Sequence, residues 1–181
     1  QTFSQTKTIH VFVALCDNKN QGIVPVPEKI GNGKDTKHNL YWGAGYGVKN
    51  FFNVKTNDWK FIELIKPENP FILERVLFKH TSKNVYLLAD AYDGEKIKNC
   101  IEDFLKAANG QYPILIKQIN KDLFFGGRSD LVSYVGHDGL MEFNVDIDLY
   151  ITKNVESQVT VTVANGIPSN LFSPSSVVSK K

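Results

Sequence analysis

A chain of 181 residues fits one domain, since domains commonly run roughly 100–200 residues. Hydrophobic residues make up 42% and aromatics 12%, enough for a substantial core; a formal charge of +2, from 21 basic and 19 acidic side chains, argues against a nucleic-acid surface. No apolar run approaches the roughly 20 residues that cross a bilayer, so no membrane span is expected.

The chain opens Gln1-Thr2-Phe3 without an initiator methionine, and Met141 is the only methionine. The expectation is a removed secretory leader and export to a periplasm or the exterior. Two cysteines, Cys16 and Cys100, permit one disulfide without demanding it.

The first strand is predicted over 8–16. Its run Val11-Phe12-Val13-Ala14-Leu15 is apolar on both faces, as in a central strand covered on both sides. A polar loop follows, with Gly22, Pro25, Pro27, Gly31 and Gly33. Residues 40–52 read as a helix rich in small residues, whose glycines allow close approach to the sheet. Gly43-x-Gly45-x-Gly47 lacks both the spacing and the preceding strand of a dinucleotide fingerprint, so no cofactor is expected. The aromatics Tyr41, Trp42, Tyr46, Phe51 and Phe52 read as core facing the sheet, with a peptide or carbohydrate groove as the alternative.

Two extended stretches follow, over 72–79 with imperfect alternation and over 85–90, the latter ending at Asp93-Gly94. Residues 94–108 form the clearest helix, with Ile97, Ile101, Phe104 and Leu105 at helical spacing beside Cys100. Asn109-Gly110 closes it as a left-handed cap. Further strands are predicted over 113–118, over 131–135 and over 158–164, with a small hairpin over 142–150. One domain is expected over 1–181, with residues 1–7 and the Ser- and Pro-rich 168–181 flexible or irregular. Strands alternating with helices predict a three-layer α/β/α sandwich with a mostly parallel sheet.

The run Leu131-Val132-Ser133-Tyr134-Val135-Gly136-His137-Asp138-Gly139 stands out. An apolar strand leads into Gly-His-Asp-Gly, which delivers His137 to the rim of the sheet where open α/β folds place their chemistry. Histidine suits proton transfer near neutral pH, although a turn histidine can equally serve as a local cap. Cys16-Asp17, His137-Asp138 and Asn165-Gly166 each end a strand, and their convergence on one rim is the argument for a site.

These residues resemble the caspase-like cysteine peptidases, the superfamily of caspases, legumains and gingipains. There, a strand ending in His-Gly is followed by one ending in Ala-Cys, and the thiolate attacks while the histidine assists. Residues 134–139 resemble the histidine block, and Val161-Thr162-Val163-Ala164-Asn165-Gly166 stands where the cysteine block is expected. With Asn39-Leu40-Tyr41-Trp42-Gly43, the chain also resembles secreted bacterial proteins of this fold. The resemblance, over roughly residues 8–165, implies a caspase-like fold and a peptide or protein as substrate or partner.

One departure matters. A carboxamide at Asn165 cannot attack as a thiolate does, so the resemblance implies an inactive or peptide-binding relative. A relocated nucleophile at Cys16, facing His137 with Asp17 or Asp138 as orienter, is the active alternative. Against it, free cysteines are mostly small buried hydrophobes. A glycan- or protein-binding module and a metal-assisted hydrolase are the other readings. For the last, His137, Asp138, Asp17 and Cys16 are suitable ligand types, but no His-x-x-x-His or Cys-x-x-Cys spacing accompanies them.

Overall fold

The computed structural model describes residues 5–138 and the backbone of 163–164. Among the described residues eight strands are present: β1 (Lys7–Ala14), β2 (Trp59–Leu64), β3 (Ile72–His80), β4 (Val85–Tyr92), β5 (Pro113–Gln118), β6 (Lys121–Gly126), β7 (Leu131–Val135) and β8 (Val163–Ala164). Six form one sheet in the order β2-β3-β4-β1-β7-β8, and β5 pairs with β6 in a separate hairpin. The fold is α/β with a mixed sheet. β4, β1, β7 and β8 run parallel, whereas β2 and β3 are antiparallel additions. The expected mostly parallel sheet is thus confined to four neighbouring strands, because the short links between β2, β3 and β4 permit only hairpin pairing.

Apolar residues on both faces make β1 central. Phe12 and Ala14 enter the core against the helix α2 (Ile97–Ala108), and Val11, Val13 and Leu15 enter a second core on the opposite face. Amphipathic spacing seats α2, burying Ile97, Cys100, Ile101, Phe104 and Ala107. Gly110, at φ +76°, ends it in the left-handed conformation expected. Beside α2 on the same face lies the β5–β6 hairpin, packing Ile116, Leu123 and Phe125 against Leu77 and Leu88.

The opposite face corrects two expectations. No helix spans 40–52: turns lead to one helical turn, α1 (Val48–Asn50), continued as a π turn over Phe51–Lys55. Gly43 and Gly47 sit so close to the Thr36–Lys37 and Trp42 backbones that no other residue fits. The segment therefore covers the sheet by close backbone approach, with Trp42 fully buried at its centre. The expected second helical layer is this irregular segment. Tyr41, Trp42 and Phe52 face the core as read, but Tyr46 is 81% exposed and Phe51 is exposed as well.

The interior also holds charge. Asp90 on β4 is fully buried and accepts from Arg75 Nε at 2.6 Å and Nη2 at 2.7 Å, from neighbouring β3. His10 on β1 lies 3.0 Å from the same carboxylate through Nε2, and its Nδ1 accepts the Gly126 N–H at 3.2 Å. Those roles fix the neutral ring with its proton on Nε2. One network thus joins β3, β4, β1 and the hairpin. Removing one member of a buried ion pair typically costs about 3–5 kcal/mol, because the partner charge is stranded. Asp90→Asn is expected to lose that much in urea denaturation, while Lys7→Ala, at a solvent-exposed bridge to Asp130, leaves the midpoint nearly unchanged.

Candidate functional site at the carboxyl rim

Because β4, β1, β7 and β8 are parallel, their carboxyl ends share one edge. The register pairs Val13 with Val135, so Cys16 and His137 leave adjacent strands three and two residues later. The strands that carry them are therefore neighbours, with Asp17 and Asp138 next after each. β8 pairs parallel to β7 through Val135 and Ala164. Asn165 and the hairpin expected over 142–150 lie outside the described residues.

Sequence reasoning missed the contribution of β4. Its end, Asp93-Gly94-Glu95, reaches the same rim beside β1, and the Asp93 side chain caps the turn entering α2. After β1 the chain passes to the Trp42 face, whereas after β4 it passes to the α2 face. Adjacent parallel strands whose continuations diverge in this way leave a crevice between them, the usual ligand position in open α/β sheets. The available signal was the strand-ending Asp-Gly directly ahead of the amphipathic helix.

Gln21 holds the crevice together. Its Nε2 donates to the Leu15 carbonyl at 2.8 Å and to the Gly94 carbonyl at 2.9 Å, and its Oε1 accepts from the Asp17 N–H. Asp17 is buried and folded into its own loop, accepting from the Lys19 N–H and from Asn20 Nδ2. Outside this floor lies a cavity of about 270 Å³, lined chiefly by Asp17, Asn18, Asn32, Lys34, Glu28 and Glu95. Lys34 of its lining lies 3.3 Å from Glu95 and 3.6 Å from Asp93.

On the other side of β1, the Tyr134 hydroxyl donates to the His137 carbonyl at 2.8 Å and steadies the turn. His137 and Asp138 are half-buried there. Cys16 is fully buried, and Asn39 clamps its backbone on both sides, accepting from its N–H at 3.0 Å and donating to its carbonyl at 2.8 Å. Burial, then the Asp17 charge, pushes the Cys16 thiol up to about 11. Cys100 is buried in the α2 core, and burial holds its thiol well above its ordinary value. Both thiols are free, and neither is a thiolate at neutral pH. Among the described residues, no three His, Cys, Asp or Glu side chains converge as a metal site requires.

No family model matches the chain, and neither the curated proteins nor the solved structures contain a match.

The rim predicts its own sensitivity. A Cβ on Gly94 would lie 2.5 Å from the Leu15 carbonyl and 2.6 Å from the Asp17 Cβ. Gly94→Ala is therefore expected to cost about 1–3 kcal/mol through forced displacement. Gln21→Leu, which strands two carbonyls and an N–H, is expected to cost about 2–4 kcal/mol. Urea unfolding monitored by tryptophan fluorescence measures both.

Proposed function

We propose that this protein is a peptide-binding domain on a caspase-like frame, one that binds at the carboxyl rim without cleaving. The observation that carries the reading is a formed rim with no thiolate to serve it. The chain has two cysteines in all, and both are buried and protonated. Support for the frame comes from strand order. Four parallel strands run β4-β1-β7-β8, so that the first strand lies beside the His137 strand and the strand preceding Asn165 lies on its other side.

A rigid, preformed crevice suits a short extended segment, because little ordering entropy is lost by the receptor. Carboxylates at Asp17, Glu28 and Glu95 outnumber lysines at Lys19 and Lys34 along the cavity, which favours a basic side chain entering it. His137 and Asp138 on the far side of β1 would then contact the adjoining residues of the peptide.

Two measurements test this reading. A thiol-reactive peptidyl inhibitor at pH 7 is expected to leave both cysteines of the native chain unmodified, with alkylation of Cys16 accelerating only as pH approaches about 11. An adduct on Cys16 at neutral pH that His137→Ala abolishes would instead establish an active cysteine enzyme. In NMR titration with pools of defined tetrapeptides, amide shifts are expected to cluster at 17–20, 31–34, 93–95 and 137–138, most strongly for lysine- and arginine-containing pools. Shifts scattered over the surface, or none, would sink the binding role.

A further inference from the structure

β2 ends the six-stranded sheet, and among the described residues no strand pairs with its outer edge. Its side chains sort unusually onto two faces. Trp59, Phe61 and Leu64 oppose His80, Phe78 and Val76, three alternate residues of β3, and so share one face. Lys60 and Glu63 oppose Lys79 and Leu77 and share the other. Residues three apart on a regular strand would point to opposite faces. The bulge between Phe61 and Glu63, which makes Ile62 the extra residue, is what brings Lys60 and Glu63 together.

Beside its bulge and its single lysine, this edge exposes apolar side chains. Phe61 is 43% exposed, Ile62 38% and Leu64 58%, and the strand contains no proline. Its one lysine faces another lysine, since Lys60 lies directly opposite Lys79, an unfavourable cross-strand pair. Gln118 Nε2 donates to Glu63 Oε1 at 2.5 Å and steadies that carboxylate on the same face.

The strand is complementary to itself. Turning a copy through a half-turn about an axis normal to the sheet, centred between Phe61 and Ile62, sets Lys60 opposite the other copy's Glu63, and the reverse. The same operation sets Trp59 opposite Leu64 and Phe61 opposite Ile62. Because of the bulge, both charged pairs fall on one face, and Trp59, Phe61 and Leu64 share the other. A regular strand could not satisfy this register. The second copy's carboxylate also offsets the Lys60–Lys79 repulsion. We propose that β2 is a homodimerisation edge, at which two copies of this chain join their sheets antiparallel about a twofold axis.

Six residue pairs lie at the small end of specific interfaces, so the dimer is expected to be concentration-dependent. Sedimentation equilibrium of the full chain is expected to show a reversible monomer–dimer equilibrium. K60E and E63K singly are each expected to weaken it at least about tenfold, since the twofold axis counts every like-charge contact twice. Mixing the K60E chain with the E63K chain is expected to restore a heterodimer, because both of its charge pairs are then complementary. The K60E/E63K double variant is expected to restore the homodimer. Circular dichroism and the thermal midpoint confirm that each variant is folded. A chain that stays monomeric at every concentration overturns the proposal. So does a dimer that both single variants leave unchanged, or a mixture of the two that fails to associate.

Discussion

Asp90 is the constraint on which the rest of the architecture depends. A carboxylate with no solvent exposure is tolerable only if its charge is answered at hydrogen-bonding distance, and two side chains do so. Arg75 supplies the opposite charge from β3, holding Asp90 below the usual carboxylate range despite a burial that alone would raise it. His10 supplies a neutral donor from β1 and uses its second nitrogen to anchor Gly126. The network therefore specifies which strands flank β4 and where the β5–β6 hairpin sits. A purely apolar core would leave both choices to shape alone.

That specification reaches the rim. With β4 locked beside β1, their diverging continuations open a crevice, and Gln21 bridges the two carboxyl ends across its floor. On the other side, pairing of β1 with β7 carries His137 to the same edge. The arrangement is well suited to holding a ligand and poorly suited to thiol chemistry. The same packing that builds the rim buries Cys16 and clamps its backbone against Asn39, and a protonated thiol is no nucleophile.

Much of this was legible in the sequence, and the exceptions share a cause. Continuous apolar character placed β1 at the centre, the spacing of Ile97, Ile101 and Phe104 placed α2, and the Gly136-His137 turn placed the rim histidine beside β1. Residues 40–52 misled because their small residues and apolar spacing mimic a helix, while the contact that decides them is backbone packing around Trp42. β2 escaped notice because its bulge breaks the alternation that identifies a strand. His10, Arg75 and Asp90 each sit singly within apolar strands, up to 80 residues apart, and only tertiary pairing reveals them as one group. The contribution of Asp93-Gly94-Glu95 was hidden likewise, since it follows from which strand neighbours β1.

The most direct test of this account is the titration of His10 by two-dimensional NMR of its ring nitrogens. Burial lowers its pKa, outweighing the attraction of Asp90 and opposing protonation that would cost the Gly126 contact. A folded pKa below the unfolded value of 6.5 means the unfolded chain binds the proton first. The stability tied to His10 is therefore full above pH 6.5 and is lost as pH falls from there toward the folded pKa. The ring is expected to stay neutral, protonated on Nε2 alone, well below pH 6.5 while the chain stays folded. A ring that titrates at or above 6.5, or carries its proton on Nδ1, would contradict it.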